Sequence, residues 1–276
     1  MKIFPISDMH ANFIDVYRYS DQSPFNINFL KKIYSETLGD GSDIVMLACG
    51  DMSERYCGVL LCERFLQAFP KLQICYCPGN HEFYGANYDI LLHDFRYADF
   101  TNDRLHILDG IYNCKVVINN ELTVVGGTLW TDFNKGNDDI MNLAQKSMND
   151  YNYIFSGNQN KKITANRILQ IHYETRKNMF WHIARADKNI PLVCMSHHTP
   201  YAGIPKNGFH WMYHTDLSEK FNELSRVPMY WFSGHTHQSE VHRETYNAGE
   251  VQFISNQVGY PHQLDTGFSL NCIMEV

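Results

Sequence analysis

Short apolar runs recur along the chain, each followed at once by small or polar residues. They cover 2–6, 44–48, 72–77, 122–125, 192–195 and 229–232. Runs of this length, without a polar residue at every second position, predict strands buried on both faces. Residues 28–38 place apolar side chains at 29, 30, 33, 34 and 38, and residues 59–69 at 59, 60, 61, 65, 66 and 69. That is the 3.6-residue period of helices. Strand and helix alternating in this way predict a layered α/β fold. The middle of the chain reads differently. Residues 138–151 and 164–186 carry helical patterns, separated by a polar loop at 156–162. The tail reads as strands at 240–246, 250–255 and 268–275, with turns at 247–249 and near Pro261.

Composition narrows the class. The chain has 276 residues, 44% of them hydrophobic and 14% aromatic, which is a globular composition. The length suits one domain over 1–276. A helical insert at about 134–190 would be either a rim or lid beside a site or a pair of packing helices. The formal net charge is −7. Nucleic-acid binders usually show a basic stripe, so a large polyanionic substrate is not favoured. The eight cysteines form no C-x-x-C pair and several sit inside apolar runs, as expected of reduced, buried thiols. The start MKIFPISDMH has no long apolar stretch of the signal-peptide kind, and no run approaches the roughly 18 apolar residues of a membrane span. The expected location is cytoplasmic, with no membrane partner. Oligomeric state is not legible.

The residues that follow the apolar runs carry the chemistry. They are Asp8-Met9-His10, Gly50-Asp51, Gly79-Asn80-His81-Glu82, His197-His198-Thr199-Pro200 and Gly234-His235-Thr236-His237. In layered α/β folds, ligand sites gather beyond the carboxyl ends of the strands, so these five clusters are expected to converge. Asp and His suit Mn, Fe, Zn, Ni or Co. In the two-residue spacings Asp8/His10 and His235/His237, both members face one way on an extended chain. Each cluster alone is commonplace; their ordered recurrence at successive strand ends points to a metal centre.

The series D-x-H, G-D, G-N-H-E, H-x-x-P and G-H-T-H resembles that of the calcineurin-like metallophosphoesterase superfamily, from Asp8 to His237. The resemblance implies an α/β (α+β) fold: a four-layer αββα sandwich of two mixed β-sheets flanked by helices. It implies two divalent ions, with Mn favoured. Asp8, His10, Asp51 and His237 would hold one ion; Asp51, Asn80, His197 and His235 would hold the other, with Asp51 shared. Both His197 and His198 fit the H-x-x-P or H-x-P offset; His197 follows the strand more closely, and the other histidine is then a substrate contact or supports a ligand. His81 would sit beside the substrate as the catalytic acid. A narrower likeness, in Gly127-Thr128-Leu129-Trp130-Thr131-Asp132-Phe133 and Met148-Asn149-Asp150-Tyr151, is to bacterial and phage members of the superfamily, and brings no substrate with it.

The expected reaction is hydrolysis of a phosphate ester by a metal-activated hydroxide, with His81 protonating the leaving oxygen. The expected substrate is a small phosphomonoester or phosphodiester such as a nucleotide or cyclic nucleotide. Asn80, His81, His198, Arg55 and Tyr201 are candidate substrate contacts, and Tyr201, His210, Trp211, Tyr213 and His214 form an aromatic segment suited to a base or sugar. Competing readings are a nuclease with the same centre, and a metal-stabilised scaffold that binds proteins without chemistry. Glu82 would orient His81 or a neighbouring ligand.

Overall fold

The computed structural model describes residues 1–14, 21–203 and 208–276. The first half runs β1 (Lys2–Ile6), α1 (Ala11–Ile14), α2 (Ile27–Leu38), β2 (Ile44–Cys49), α3 (Cys57–Ala68), β3 (Gln73–Cys77), α4 (Tyr88–Thr101) and β4 (Leu105–Ile107). Then come β5 (Lys115–Ile118), β6 (Leu122–Gly127), the short turn α5 (Phe133–Gly136), α6 (Asp138–Ser147), α7 (Asp150–Tyr153), β7 (Phe155–Ser156), β8 (Lys161–Lys162) and α8 (Ala165–Ala184). The chain closes with β9 (Leu192–Ser196), α9 (Ser218–Asn222), β10 (Tyr230–Ser233), β11 (Val241–Tyr246), β12 (Gly249–Ser255) and β13 (Met274–Glu275).

Two mixed sheets result, in the orders β13-β1-β2-β3-β4 and β11-β12-β10-β9-β6-β5. Strands β1 to β4 are parallel in the first sheet, and β6, β9, β10 and β12 in the second. Strand β2 shows why the apolar runs lack alternation. Val45, Leu47 and Cys49 face the second sheet, packing with Val124, Val193, Met195 and Phe232. Ile44, Met46 and Ala48 face outward onto Leu30, Leu61 and Phe65 of the helices. Both faces are buried, so every position is apolar. On the far side, Met179 and Ile183 of α8 and Phe221 of α9 cover Cys194, Trp231 and Phe253 of the second sheet. Helices on both outer faces of two sheets make the four-layer αββα sandwich the motifs implied.

Helix starts follow local chemistry. The side chains of Asn26, Asn87 and Asn137 accept N–H groups of the first turns of α2, α4 and α6, and Thr164 does so for α8, satisfying donors that have no partner within the helix.

The structure departs from the pattern in several places. The helix expected over 138–151 stops at Ser147: Met148 is extended (φ −94°, ψ 141°), and a separate turn, α7, starts at Asp150. The loop expected at 156–162 is a small antiparallel hairpin, Phe155–Ser156 with Lys161–Lys162. Of the strand expected over 268–275, only Met274–Glu275 pairs, antiparallel to β1. Ser269 is held instead by the side chain of Asn256, which accepts its N–H and donates to its carbonyl. No helix among the described residues is long and apolar enough to cross a membrane. Six of the eight cysteines are buried, and none among the described residues is in a disulfide.

Candidate metal centre

The parallel strands β1, β2, β3, β9 and β10 end on one side of the sandwich, and their following residues meet there. The backbone turns sharply at this edge: Asp8, His10, Asp51, His235 and His237 all adopt left-handed conformations, with φ of 54°, 43°, 52°, 74° and 54°. Such angles cost energy for residues other than glycine and cluster at functional sites. Close backbone approach adds a second constraint. A Cβ on Gly50 would lie 2.5 Å from Nδ1 of His197, and one on Gly234 would lie 2.6 Å from a carboxylate oxygen of Asp8.

The candidate ligand atoms point inward. Nε2 of His197 lies 3.0 Å from Asn80 Oδ1, 3.1 Å from His235 Nδ1 and 3.4 Å from Asp51 Oδ2. Nε2 of His10 lies 3.0 Å from His237 Nε2 and 3.9 Å from Asp51 Oδ2, while His237 Nε2 is 3.4 Å from Asp8 Oδ1. The structure thus places Asp8, His10, Asp51, Asn80, His197, His235 and His237 in two adjoining groups that share Asp51.

Surrounding groups fix which atom of each side chain faces inward. His197 donates its Nδ1–H to the carbonyl of Cys49 at 2.9 Å, and His237 donates its Nδ1–H to Gln263 Oε1 at 2.6 Å, turning each Nε2 toward the centre. Asp51 Oδ1 accepts the His81 N–H at 2.8 Å, leaving Oδ2 on the inner side. Asn80 donates its Nδ2–H to Asp150 at 2.8 Å, so its Oδ1 faces His197. Outward donors and inward lone pairs are how histidine and amide ligands are held around a cation.

Electrostatics agree. Burial opposes charge on Asp51, but His197, His81 and His10 outweigh it and hold the carboxyl well below the usual carboxylate range. Burial likewise opposes charge on His197, yet the adjacent Asp51 raises its pKa to about 10. The cluster demands positive charge, which a proton or a cation can supply. Burial lowers His10 to about 4, and burial also pushes His235 well below the usual histidine value. The donor set of carboxylate, amide oxygen and imidazole fits borderline divalent ions such as Mn, Fe, Zn, Ni or Co. Among the described residues, four overlapping sets of ligand atoms within 4.8 Å of one another could hold a cation, including Asp8/His10/His237 and Asp8/Asp51/His197.

His198 is also placed by the structure. It is 1% exposed, and its ring lies 4.0 Å from that of His235 and 5.2 Å from Trp130, with Nδ1 unpartnered. One of its ring nitrogens belongs to a possible ligand set with His197 and His235. It does not line the cleft above the centre, so direct substrate contact from His198 is not what the structure offers.

That cleft has a volume of about 640 Å³. Asp51, Asn80, His235 and His237 form part of its floor, and His81, Tyr84, Tyr201, His210, Tyr213, His214 and Tyr260 line it. Residues 147–150, from the end of α6 to the start of α7, supply another wall. Of the expected aromatic segment, Trp211 is not among the lining residues. Arg55 is not among them either: it is exposed, lies against Gly85, and donates its Nε–H to the Tyr84 carbonyl. Its guanidinium is engaged in holding the loop after β3.

His81 is poised over the centre. Its ring stacks on Tyr84 at 4.2 Å, its Nε2 lies 3.1 Å from the Tyr260 hydroxyl, and the same nitrogen is 4.0 Å from Asp51 Oδ2. Glu82 is fully buried, and its carboxylate accepts the N–H groups of Asp51, Met52 and Gly79 at 2.7–2.9 Å. It therefore ties the β2 and β3 loops together and does not reach the His81 ring.

Three contributors carry no sequence signal of their own. Gln257 accepts the His237 N–H, Gln263 holds the His237 ring, and Tyr260 stacks on His10 at 4.2 Å. All three lie in the turns after β12, without a motif or a period to mark them.

Comparison with known proteins gives a family and a likeness of fold. The family model described as calcineurin-like phosphoesterase matches residues 1–239. An uncharacterized protein of Acanthamoeba polyphaga mimivirus is 27% identical over 287 residues, covering 94% of this chain and 91% of that protein. The crystal structure of a phosphopantetheinyl hydrolase from Mycobacterium tuberculosis superposes with a TM-score of 0.60 at 15% identity, covering 94% of this chain and 90% of the other, a likeness of fold.

Proposed function

Because the chain belongs to the calcineurin-like phosphoesterase family, and so is a hydrolase of phosphate esters, we propose that it cleaves a small phosphomonoester or phosphodiester at a dinuclear metal centre. The observation that carries this reading is the inward convergence of lone pairs on either side of Asp51. Asp8, His10, Asp51 and His237 would hold one divalent ion. Asp51, Asn80, His197 and His235 would hold the other, the Nδ1–H bond to Cys49 favouring His197 over His198. Bound ions would polarise the phosphoryl oxygens and make a water acidic enough to ionise near neutral pH.

The remaining work falls to the chain. Asn80 is an uncharged donor, so the floor gains a ligand without gaining negative charge against an anionic ester. His81 extends Nε2 into the cleft from a ring fixed between Tyr84 and His10, where a proton on that nitrogen can pass to the leaving oxygen. Tyr260 holds the same nitrogen. A cleft of about 640 Å³ suits a small organic substrate, and Tyr201 and Tyr213 in its walls suit a ring or sugar on the leaving group.

The test is a metal-stripped enzyme supplied separately with Mn, Fe, Zn, Ni and Co, assayed on phosphate monoesters and diesters alongside metal counting. We expect two ions per chain and turnover of at least one small ester, with Mn the favoured activator. Inactivity across the panel with both ions bound would sink the hydrolytic reading in favour of a scaffold. Cleavage confined to DNA or RNA, with binding that weakens steeply with salt, would move the substrate to nucleic acid.

A further inference from the structure

We propose that Asp150, on the helical insert, is a positioning residue that fixes the orientation of the Asn80 amide and thereby sets the affinity of the ion held by Asn80, His197 and His235. The inference rests on the dinuclear reading above. An asparagine side chain has two nearly isosteric orientations, one presenting oxygen and one presenting NH2. Only the first is a metal ligand. Something on the outer side of Asn80 must choose between them.

The carboxylate of Asp150 does so because, when ionised, it only accepts. Its Oδ1 takes the Asn80 Nδ2–H at 2.8 Å and the Tyr84 hydroxyl at 2.7 Å, and the same Nδ2 lies 3.3 Å from the Tyr84 oxygen. Turning the amide over would bring two oxygens together at Asp150 and push NH2 toward Nε2 of His197, now 3.0 Å from Asn80 Oδ1. Asp150 is only 3% exposed, so an unmatched contact there has little water to relieve it.

The break in the insert delivers this carboxylate. Met148 is extended between α6 and α7, and Asp150 is the first residue of α7. A continuous helix over 138–151 would carry residue 150 along a different path. Tyr84 widens the effect: its hydroxyl is tied to Asp150 while its ring stacks on His81. The Met148-Asn149-Asp150-Tyr151 segment therefore reaches the ligand Asn80 directly and His81 through Tyr84.

The experiment is Co2+ titration of the metal-stripped full chain, followed by d–d absorption and by the spin coupling between two bound ions, with circular dichroism as the check on folding. Wild type should bind two equivalents. Asp150→Ala should weaken the second equivalent by about 10- to 100-fold, the usual size for a lost ligand support, and abolish the coupling at limiting Co2+. Asp150→Asn keeps an oxygen for the Tyr84 hydroxyl and Asn80 but adds an NH2 that can pair with the turned amide, so it should recover only part of that loss. Unchanged second-ion affinity in Asp150→Ala overturns the proposal, as does Asp150→Asn falling as far as alanine. Should Asp150→Ala fail to fold, Tyr84→Phe decides. It keeps the ring and loses one tether, so it should weaken the second equivalent to a smaller degree, and no shift overturns the proposal. A wild type that binds fewer than two ions refutes the dinuclear reading instead.

Discussion

Asp51 and His81 sit 4.0 Å apart at their facing atoms, yet their substitutions should part cleanly. Asp51 Oδ2 is within 3.9 Å of both His10 and His197, so Asp51→Asn removes the charge both groups share. Metal content and activity should disappear together, seen by metal analysis beside turnover. His81→Ala leaves the ligand atoms in place. It should retain both ions and lose about 10²- to 10⁴-fold in kcat on esters with poor leaving groups, the size of a general-acid contribution. Much less should be lost on esters whose leaving oxygen needs no proton. Near-normal turnover of the poor leaving groups would remove His81 from the acid role. The residues in these tests were legible in the sequence because each closely follows an apolar run, Asp51 in the Gly50-Asp51 pair after 44–48 and His81 in Gly79-Asn80-His81-Glu82 after 72–77. Asp150 was legible only as part of the Met148-Asn149-Asp150-Tyr151 segment that resembles bacterial and phage members of the superfamily. Its partner Asn80 is 70 positions away, and no local period links the two.

At the scale of elements, the parallel strands and the two-sided burial of β2 were readable because a continuous apolar run has few other uses. Short or polar-edged pieces were not. Strand β4 has three residues, and β5 exposes Lys115 and Val117, so neither stands out from loop. The segment after β12 is the largest surprise. Its expected strand over 268–275 shrinks to Met274–Glu275, and the turns around Pro261 bring Tyr260 and Gln263 over the centre, beyond the 1–239 covered by the family match. Side-chain bonds from Asn256 replace the missing ladder there. Gln263→Ala removes the partner of His237 Nδ1 and should weaken metal binding by about 10- to 100-fold, measurable by competition with a chelating dye. Tyr260→Phe keeps the stacking on His10 and loses one hydrogen bond to His81. It should keep its ions and lower kcat by about 2- to 12-fold, the equivalent of about 0.5–1.5 kcal/mol.

For the molecule as a whole, stability should follow both pH and metal. His172 on α8 is completely buried and donates its Nδ1–H to the Leu129 carbonyl. Burial, with Arg176 nearby, lowers its pKa from 6.5 to about 3. Between those values the unfolded chain takes a proton that the folded chain refuses, so stability is full above about pH 6.5 and declines as pH falls toward 3. In urea unfolding of the metal-free protein, His172→Gln should flatten this decline by up to about 1.4 kcal/mol per pH unit; parallel curves would exclude His172 as a source. Chelation should lower the unfolding midpoint of the loaded protein, because ions that bind only the folded state add stability by mass action. The proposed ligands would also impose an order of events. Asp8 and His235 are 227 positions apart yet in contact. A nascent chain that has emerged through residue 80 exposes Asp8, His10, Asp51 and Asn80 with none of the three histidines proposed to complete their sets. Neither proposed coordination sphere could close until β10 has left the ribosome and the second sheet has docked on the first, so cation capture is expected to be one of the last steps of maturation. A chain truncated before residue 235 would then carry carboxylates with no ion to share.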